Sequence, residues 1–396
     1  MKILIADKVA EETVTALKAL GDVRVDAGVK AEDLPASIGD ADVLIVRSKK
    51  VIAKTIDSAT RLSLIIRAGA GVDTIDMKAA NARGIYVANC PGKNADAVAE
   101  LAIGLLIAAD RRIVDATDSL RNGKWKKGEF GKARGLKGRT LGLIGFGTIG
   151  RCVARRAIGL EMKVLAWSRS LTAEAAYAAG VCLAKSPEEV AQFSDAVSIH
   201  IAATPETKQL INEAFLSAMK SGAILINTSR GNVVDTAALK KALATGKLRA
   251  GLDVFEGEPG GSEAEFSDTA LARSVVCTPH IGASTDQASE AIADEAVRIV
   301  KVFQQTGIPP NAVNICARSP AKYTLVVRHY DRVGVLASIL DGLRRDEVNV
   351  EEMQNTVFEG AQAACCTLSL ASEPSAETLK TIRENADVLQ AELTTR

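Results

Sequence analysis

The stretch LGLIGFGTIG, Leu141–Gly150, decides the reading of the fold. An apolar run leads straight into Gly145, Gly147 and Gly150, spaced G-x-G-x-x-G. Ile149, Val153, Ala157 and Leu160 follow at helical spacing, so the glycines fall in a strand-to-helix turn. Gly145 permits the tight turn, Gly147 lets backbone approach a pyrophosphate, and Gly150 lets helix and strand pack closely. The helix start, with Thr148 and Ile149, offers N–H groups and the positive end of a dipole to phosphate. Glycine patterns are common, but this one sits between an apolar strand and an amphipathic helix, and it implies a dinucleotide site.

The next strand sharpens the cofactor. About twenty residues past such glycines, an NAD site normally ends its second strand in Asp or Glu, to hold the ribose 2′-hydroxyl. Here VLAWSRS, Val164–Ser170, ends in Ser168 and Arg169. Serine removes the repulsion that an acid would exert on a 2′-phosphate, and Arg169 can give that phosphate charge-assisted bonds. The expected cofactor is therefore NAD or NADP, with NADP use suspected.

Outward from this turn, short apolar strands alternate with helices. Downstream come DAVSIHIA (Asp195–Ala202), AILINTS (Ala223–Ser229), AGLDVFE (Ala250–Glu256) and SVVCTPH (Ser274–His280). Upstream, a separate alternating set holds KILIAD (Lys2–Asp7), DVLIVRS (Asp42–Ser48), LSLIIRAG (Leu62–Gly69) and GIYVANC (Gly84–Cys90). Such alternation indicates parallel sheets covered on both faces. GIPPNAVNI, Gly307–Ile315, reads as a linker. From Ala321 the chain restarts as strand, helix, strand, strand or hairpin, and helix, which fits a βαββαβ module. The expected class is α/β: two doubly wound domains, one flavodoxin-like and one Rossmann, plus this C-terminal module.

Composition excludes other classes. The 396 residues are 47% hydrophobic and 24% charged, with a formal net charge of +1. That balance gives no general reason to expect nucleic acid or an anionic membrane as partner. Seven scattered cysteines without a C-x-x-C read as reduced thiols of a cytoplasmic protein, with no metal site. The run LAIGLLIAA, Leu101–Ala109, is too short to span a bilayer and reads as a buried helix, a candidate subunit contact.

Three polar residues end successive strands of the second set, at the sheet edge where open α/β sheets bind ligands. Arg230 follows AILINTS, Glu258 follows AGLDVFE, and His280 ends SVVCTPH. A guanidinium can grip the carboxylate of a 2-oxo or 2-hydroxy acid in two parallel bonds. An imidazole can supply the proton that an alkoxide needs after hydride transfer. A carboxylate beside the imidazole orients it and favours the imidazolium. His200 belongs to a neighbouring strand end, with a packing role or a place on the adenine side.

With these residues in place, the sequence resembles the D-isomer-specific 2-hydroxyacid dehydrogenases over nearly its whole length. RSKKV, RAGAGVDTID, NCPGKNADAVAELAIG, LGLIGFGTIG, NTSRGNVVDTAAL, GLDVFEGEP, TPHIGASTDQAS and PNAVNI look like that family's blocks in its order. HIGAST, PNAVN and the tail favour its phosphoglycerate branch. The resemblance implies oxidation of D-3-phosphoglycerate to 3-phosphohydroxypyruvate, the first step of serine biosynthesis. It implies Arg230, Glu258 and His280 as the catalytic set, with Asp253 at the nicotinamide carboxamide and Thr228, His280 and Gly282 on the cofactor side. Backbone at Ala70 and Gly71 would face the substrate carboxylate, and Arg47 and Lys49 its phosphate. The implied layout is a substrate-binding domain of residues 1–93 and 284–315, a nucleotide domain of 94–283, and an ACT regulatory domain of 320–396. In the tail, His329, Asp331 and Asn349 match positions that hold L-serine in serine-sensitive relatives, with Asp331 in place of an Asn. A homodimer or homotetramer is implied.

Two rivals follow from the same residues. One is an NADPH-dependent hydroxypyruvate or glyoxylate reductase, which the Ser168–Arg169 strand end would suit. The other is a co-regulator that binds dinucleotide without turnover, against which the intact Arg230, Glu258 and His280 speak.

Overall fold

Each alternating set of strands builds its own sheet, and the tail builds a third. The computed structural model describes residues 1–259, 264–316 and 319–396. The first sheet holds β1 (Lys2–Ile5), β2 (Asp22–Val25), β3 (Val43–Val46), β4 (Leu64–Arg67) and β5 (Tyr86–Asn89), all parallel, in the order β2-β1-β3-β4-β5. This is the flavodoxin-like order, with its switch point between β1 and β3. β2 escapes a search for apolar runs because it is an edge strand, DVRV, with no buried residue.

The second sheet is seven-stranded and parallel. It holds β6 (Thr140–Ile144), β7 (Lys163–Trp167), β8 (Cys182–Leu183), β9 (Ala196–Ile199), β10 (Ala223–Asn227), β11 (Leu248–Leu252) and β12 (Val276–Cys277). Its order is β12-β11-β10-β9-β6-β7-β8, so the switch point lies between β6 and β9. The strands are shorter than their apolar runs suggest. SVVCTPH contributes only β12, and DAVSIHIA ends as a strand at Ile199, which leaves His200 in the connection beyond it.

Two long helices each cover one of the parallel sheets. The helix Ala95–Arg111 carries the LAIGLLIAA run, and its buried face, Ala99, Ala102, Leu105, Leu106 and Ala109, packs with Leu143, Val153 and Ile224 of the seven-stranded unit. Burial within the chain thus accounts for Ala102, Leu105, Leu106 and Ala109 of that run, while Leu101, Ile103, Ile107 and Ala108 stay half-buried. The helix Asp286–Thr306 starts under a Thr285 cap, whose hydroxyl accepts from the Ala288 N–H, and stops at Gly307 with φ 72°. It lays Ile292, Ala296, Ile299 and Val300 against Ile3, Ile5 and Ile66 of the first sheet. Each such large side chain contributes about 1.5–3 kcal/mol by leaving water. The chain therefore builds the first sheet, passes through the second, and returns to cover the first.

The C-terminal unit runs from Ile315 to Arg396. Its strands β13 (Tyr323–Tyr330), β14 (Val350–Val357), β15 (Ala363–Leu370) and β16 (Val388–Thr395) form an antiparallel sheet in the order β14-β15-β13-β16. Helices Val335–Arg345 and Ala376–Glu384 lie against it and complete the βαββαβ order. The expected fold class is thereby met in all three parts.

All seven cysteines are free, with Cys182 and Cys316 exposed. Burial pushes the thiols of Cys90 and Cys366 up to about 11. Among the described residues no helix is long and apolar enough to cross a membrane, and no cluster of three metal-ligating side chains is found.

Candidate active site

The glycine turn lies at the switch point of the seven-stranded sheet. Gly145 leaves β6 at φ 99°, and a Cβ there would run into the carbonyl of His200, which leaves β9 beside it. Only glycine meets both the positive φ and the close approach. Gly147 has open space around it and begins the helix Thr148–Gly159, whose first turn has no side-chain cap. The free N–H groups of that turn suit an anion, as a dinucleotide pyrophosphate requires. Thr228, at the end of β10, buries a hydroxyl with no partner among the described residues. These residues fit a nicotinamide dinucleotide. At the end of β7, Ser168 is half-buried and Arg169 is exposed.

His200 stands next to this turn. Its Nε2 lies 2.8 Å from the Ser198 hydroxyl, and desolvation pulls its pKa down to about 4. It is a neutral, internally bonded imidazole, in line with a packing role.

Glu258 and His280 meet. His280 Nδ1 lies 2.6 Å from Glu258 Oε2, while Glu258 Oε1 accepts from the Phe255 N–H at 2.8 Å. The hydrogen bond to Glu258 raises the His280 pKa above the ordinary 6.5, against the opposing effect of burial. Burial opposes ionisation of Glu258, but His280, the Phe255 N–H and Arg230 outweigh it and hold its pKa below the usual range. Because Nδ1 is taken, Nε2 is the ring nitrogen left for a reacting atom.

Asp253 builds the loop that carries His280. It is 1% exposed and accepts from the Thr278 hydroxyl at 2.6 Å and from the N–H groups of Ile281 and Gly282, each at 2.8 Å. Its own carbonyl accepts from the His280 N–H at 2.8 Å. These bonds support His280 at φ 54°, a left-handed conformation that costs a non-glycine residue about 1 kcal/mol or more. The two Asp253 oxygens, from which a nicotinamide contact is expected, thus also serve their own loop.

Arg230 follows β10 and reaches towards the first sheet. Its Nε and Nη2 donate to Asp73 Oδ2 at 2.9 and 2.8 Å, and its Nη1 donates to the Ser229 carbonyl at 2.8 Å. Gly231, beside it, sits where a Cβ would strike the Phe255 backbone, so this loop must pass the β11 loop without a side chain. Gly71 touches the Arg230 guanidinium, while the Ala70 carbonyl accepts from Asn89 Nδ2 at 2.6 Å. The N–H groups of Ala70 and Gly71 find no acceptor among the described residues. Asp73 carries no motif of its own, and sequence reasoning missed it.

The phosphate candidates separate. Lys49 Nζ donates to the Ala27 carbonyl at 2.9 Å and lies 3.6 Å from Asp7 Oδ1. Asp7 also accepts from the Arg47 N–H at 2.6 Å. The Arg47 guanidinium has no hydrogen bond or ion pair among the described residues. Arg67, at the end of β4, was not foreseen. Its Nε is buried without a partner, and desolvation, then Arg230 and Arg47, lower its pKa. Arginine remains charged under such a shift.

In the C-terminal unit His329 points into the module. It is 1% exposed, its Nδ1–H donates to the Tyr330 carbonyl at 2.7 Å, and its Nε2 lies 3.3 Å from Asn355 Oδ1. Asn349 donates to Glu351 at 2.8 Å, and Asp331 is exposed. Asn355 is the partner that sequence spacing did not reveal.

Comparison with known proteins follows this geometry. The family described as D-isomer specific 2-hydroxyacid dehydrogenase, NAD binding domain, matches residues 103–282. The D-3-phosphoglycerate dehydrogenase of Methanocaldococcus jannaschii is 39% identical over 317 residues, 80% of this chain and 60% of that protein. This chain therefore spans about 60% of that relative's length. The glyoxylate reductase of Thermococcus litoralis is 44% identical over 282 residues, 69% of this chain and 83% of that protein. Among solved structures, the NAD+-bound 3-phosphoglycerate dehydrogenase of Entamoeba histolytica superposes with a TM-score of 0.66 at 29% identity, covering 80% of this chain and 99% of that one.

Proposed function

The chain belongs to the D-isomer-specific 2-hydroxyacid dehydrogenase family, and we propose that it oxidises D-3-phosphoglycerate to 3-phosphohydroxypyruvate as the first step of serine biosynthesis. The observation that carries the chemistry is the 2.6 Å Glu258–His280 bond, on the same sheet edge as Arg230 and the glycine turn. When bound, the nicotinamide accepts the hydride in oxidation and supplies it in reduction.

Everything else falls to the chain's own residues. In oxidation, neutral His280 takes the substrate hydroxyl proton at Nε2 as the C–H bond gives up its hydride. The imidazolium so formed is stabilised by Glu258. In reduction the same nitrogen returns the proton to the developing alkoxide, so atoms and charge balance in both directions. Arg230 holds the substrate carboxylate, helped by the N–H groups of Ala70 and Gly71. Gly145, Gly147, Thr148, Ile149 and Gly150 cradle the pyrophosphate, with Thr228 and Gly282 on the nicotinamide side. Arg47 is the principal ligand of the substrate phosphate, with Lys49 in support.

Ser168 and Arg169 support NADP use, because Ser168 stands where an acid would repel a 2′-phosphate and Arg169 can give that phosphate charge-assisted bonds. Residues 1–93 with 284–315 act as the substrate-binding domain, 94–283 as the nucleotide domain, and 320–396 as a regulatory ACT domain in a cytoplasmic homodimer or homotetramer. L-serine is its proposed effector, with exposed Asp331 and Asn349 as its contacts and His329 behind them. The resemblance to relatives of the phosphoglycerate branch supports this part of the reading.

One observation favours a second reading. The 44% identity to a glyoxylate reductase, together with Lys49 held by Asp7, suits a small unphosphorylated 2-oxo acid. Initial rates with phosphohydroxypyruvate, hydroxypyruvate and glyoxylate, each with NADH and NADPH, decide between the two. Turnover of phosphohydroxypyruvate at the highest kcat/KM is the expected result.

A further inference from the structure

The Arg230 guanidinium does not stand free in the cleft. It carries five N–H groups, and three are spent within the chain. Nε–H and one Nη2–H go to Asp73, and one Nη1–H goes to the Ser229 carbonyl. One N–H remains on each terminal nitrogen. Asp73 reaches Arg230 from the loop after β4 of the first sheet, whereas Arg230 follows β10 of the second. A flexible arginine is thus held at two edges of its plane, by Asp73 from beyond the first sheet and by the Ser229 carbonyl from beyond the second.

Asp73 serves poorly as a stabiliser. Its carboxylate is 56% exposed and the guanidinium 34% exposed, and surface ion pairs of this kind contribute little to folding. It serves well as an orienter. The pair lies against Gly71, where a Cβ would collide with the guanidinium and crowd Asp73 Oδ2. The same spot presents the unused N–H groups of Ala70 and Gly71. Asp73 also sets its negative charge among Arg67, Arg47 and Arg230, whose like charges otherwise oppose one another. We propose that Asp73 is a positioning residue: it locks the Arg230 plane across the cleft, so that the two remaining N–H groups and the Gly71 backbone meet one substrate carboxylate. The proposal rests on the 2-hydroxyacid reading of the site and names a residue that reading had not used.

The test pairs kinetics with a binding measurement that needs no turnover. Asp73→Ala and Asp73→Asn are compared with the parent chain in 2-oxo acid reduction, and in calorimetric binding of oxalate to the cofactor-loaded protein. Asp73→Ala is expected to raise KM for the 2-oxo acid and Kd for oxalate about tenfold. It should leave the KM for the dinucleotide and the Tm unchanged, and change kcat less than threefold. Asp73→Asn keeps an acceptor oxygen at the same reach and should recover part of the loss. It also serves if the alanine variant folds poorly. Unchanged or tighter oxalate binding in both variants would overturn the proposal, since Asp73 would then be a bystander or a competitor for Arg230. A parent chain that neither reduces any 2-oxo acid nor binds oxalate would remove the underlying reading, and the proposal with it.

Discussion

The carboxyl edges of the two parallel sheets use acids in opposite ways. On the seven-stranded sheet, Asp253 and Glu258 prepare a histidine: one ties its loop, the other charges its ring. On the five-stranded sheet, Asp7 holds the Lys49 side chain and the N–H of Arg47, and the Arg47 and Arg67 guanidiniums form no ion pair among the described residues. In the proposed reading the first edge moves a proton and the second holds an anion. Asp73 and Arg230 join them. Substitutions on the two edges should therefore separate kcat from KM.

The largest effect is expected from His280→Asn, which removes the proton donor while keeping a residue that tolerates positive φ. Loss of general acid–base catalysis should cost kcat about 10²–10⁴-fold. Cofactor affinity, followed by nicotinamide fluorescence, should stay within about twofold of the parent, since this substitution leaves the phosphate cradle intact. A loss of cofactor binding equal to the loss of rate would break the division of labour between the edges.

Next comes Arg230→Lys. An ammonium cannot reproduce a planar fork, and charge-assisted bonds contribute about 1.5–3 kcal/mol each, so kcat/KM should fall roughly 10–100-fold. Steady-state kinetics should place most of that loss in KM.

Glu258→Gln tests the sign of the electrostatics. The Glu258 bond raises the His280 pKa, so the imidazolium persists above pH 6.5, and reduction should decline only as pH rises through that elevated value. Without the carboxylate the decline should begin at lower pH, and the rate of reduction at pH 7 should fall about tenfold. A pH–rate profile that does not move would show that Glu258 orients the ring without charging it.

The smallest pair sharpens the anion edge. Arg47→Ala should weaken binding of a phosphorylated substrate by about tenfold, and Lys49→Ala by only about two- to threefold, because Asp7 already offsets the lysine charge. Both should leave KM for hydroxypyruvate unchanged. Equal loss on both substrates would place these cations in the packing of the sheet edge.

What could be read from the sequence follows the range of the forces involved. The strand alternation, the glycine turn and the run of Arg230, Glu258 and His280 along one edge are local patterns. They come from backbone geometry and from side chains a few residues apart. The roles of Asp73, Asp7 and Asn355 were hidden because each partner lies far along the chain. Asp73 is 157 residues from Arg230, Lys49 is 42 from Asp7, and His329 is 26 from Asn355. Loops set the first two meetings and the register of β13, β15 and β14 sets the third, and hydrophobic periodicity describes neither. The burial of His329 was hidden too, since the resemblance named it only as an effector position and tertiary packing turns it inward.

The thiols described earlier have a practical consequence. Burial pushes the Cys90 and Cys366 thiols up and away from the thiolate form, and Cys152 and Cys277 shift the same way, so these sulfurs are poor nucleophiles at neutral pH. Cys182 and Cys316 are the exposed pair. One sits on β8, the outer strand of the nucleotide sheet, and the other opens the C-terminal unit. A maleimide dye pair would therefore attach first at these two natural handles. Energy transfer between them, read as L-serine is added, would report how the C-terminal unit stands relative to the rest of the chain.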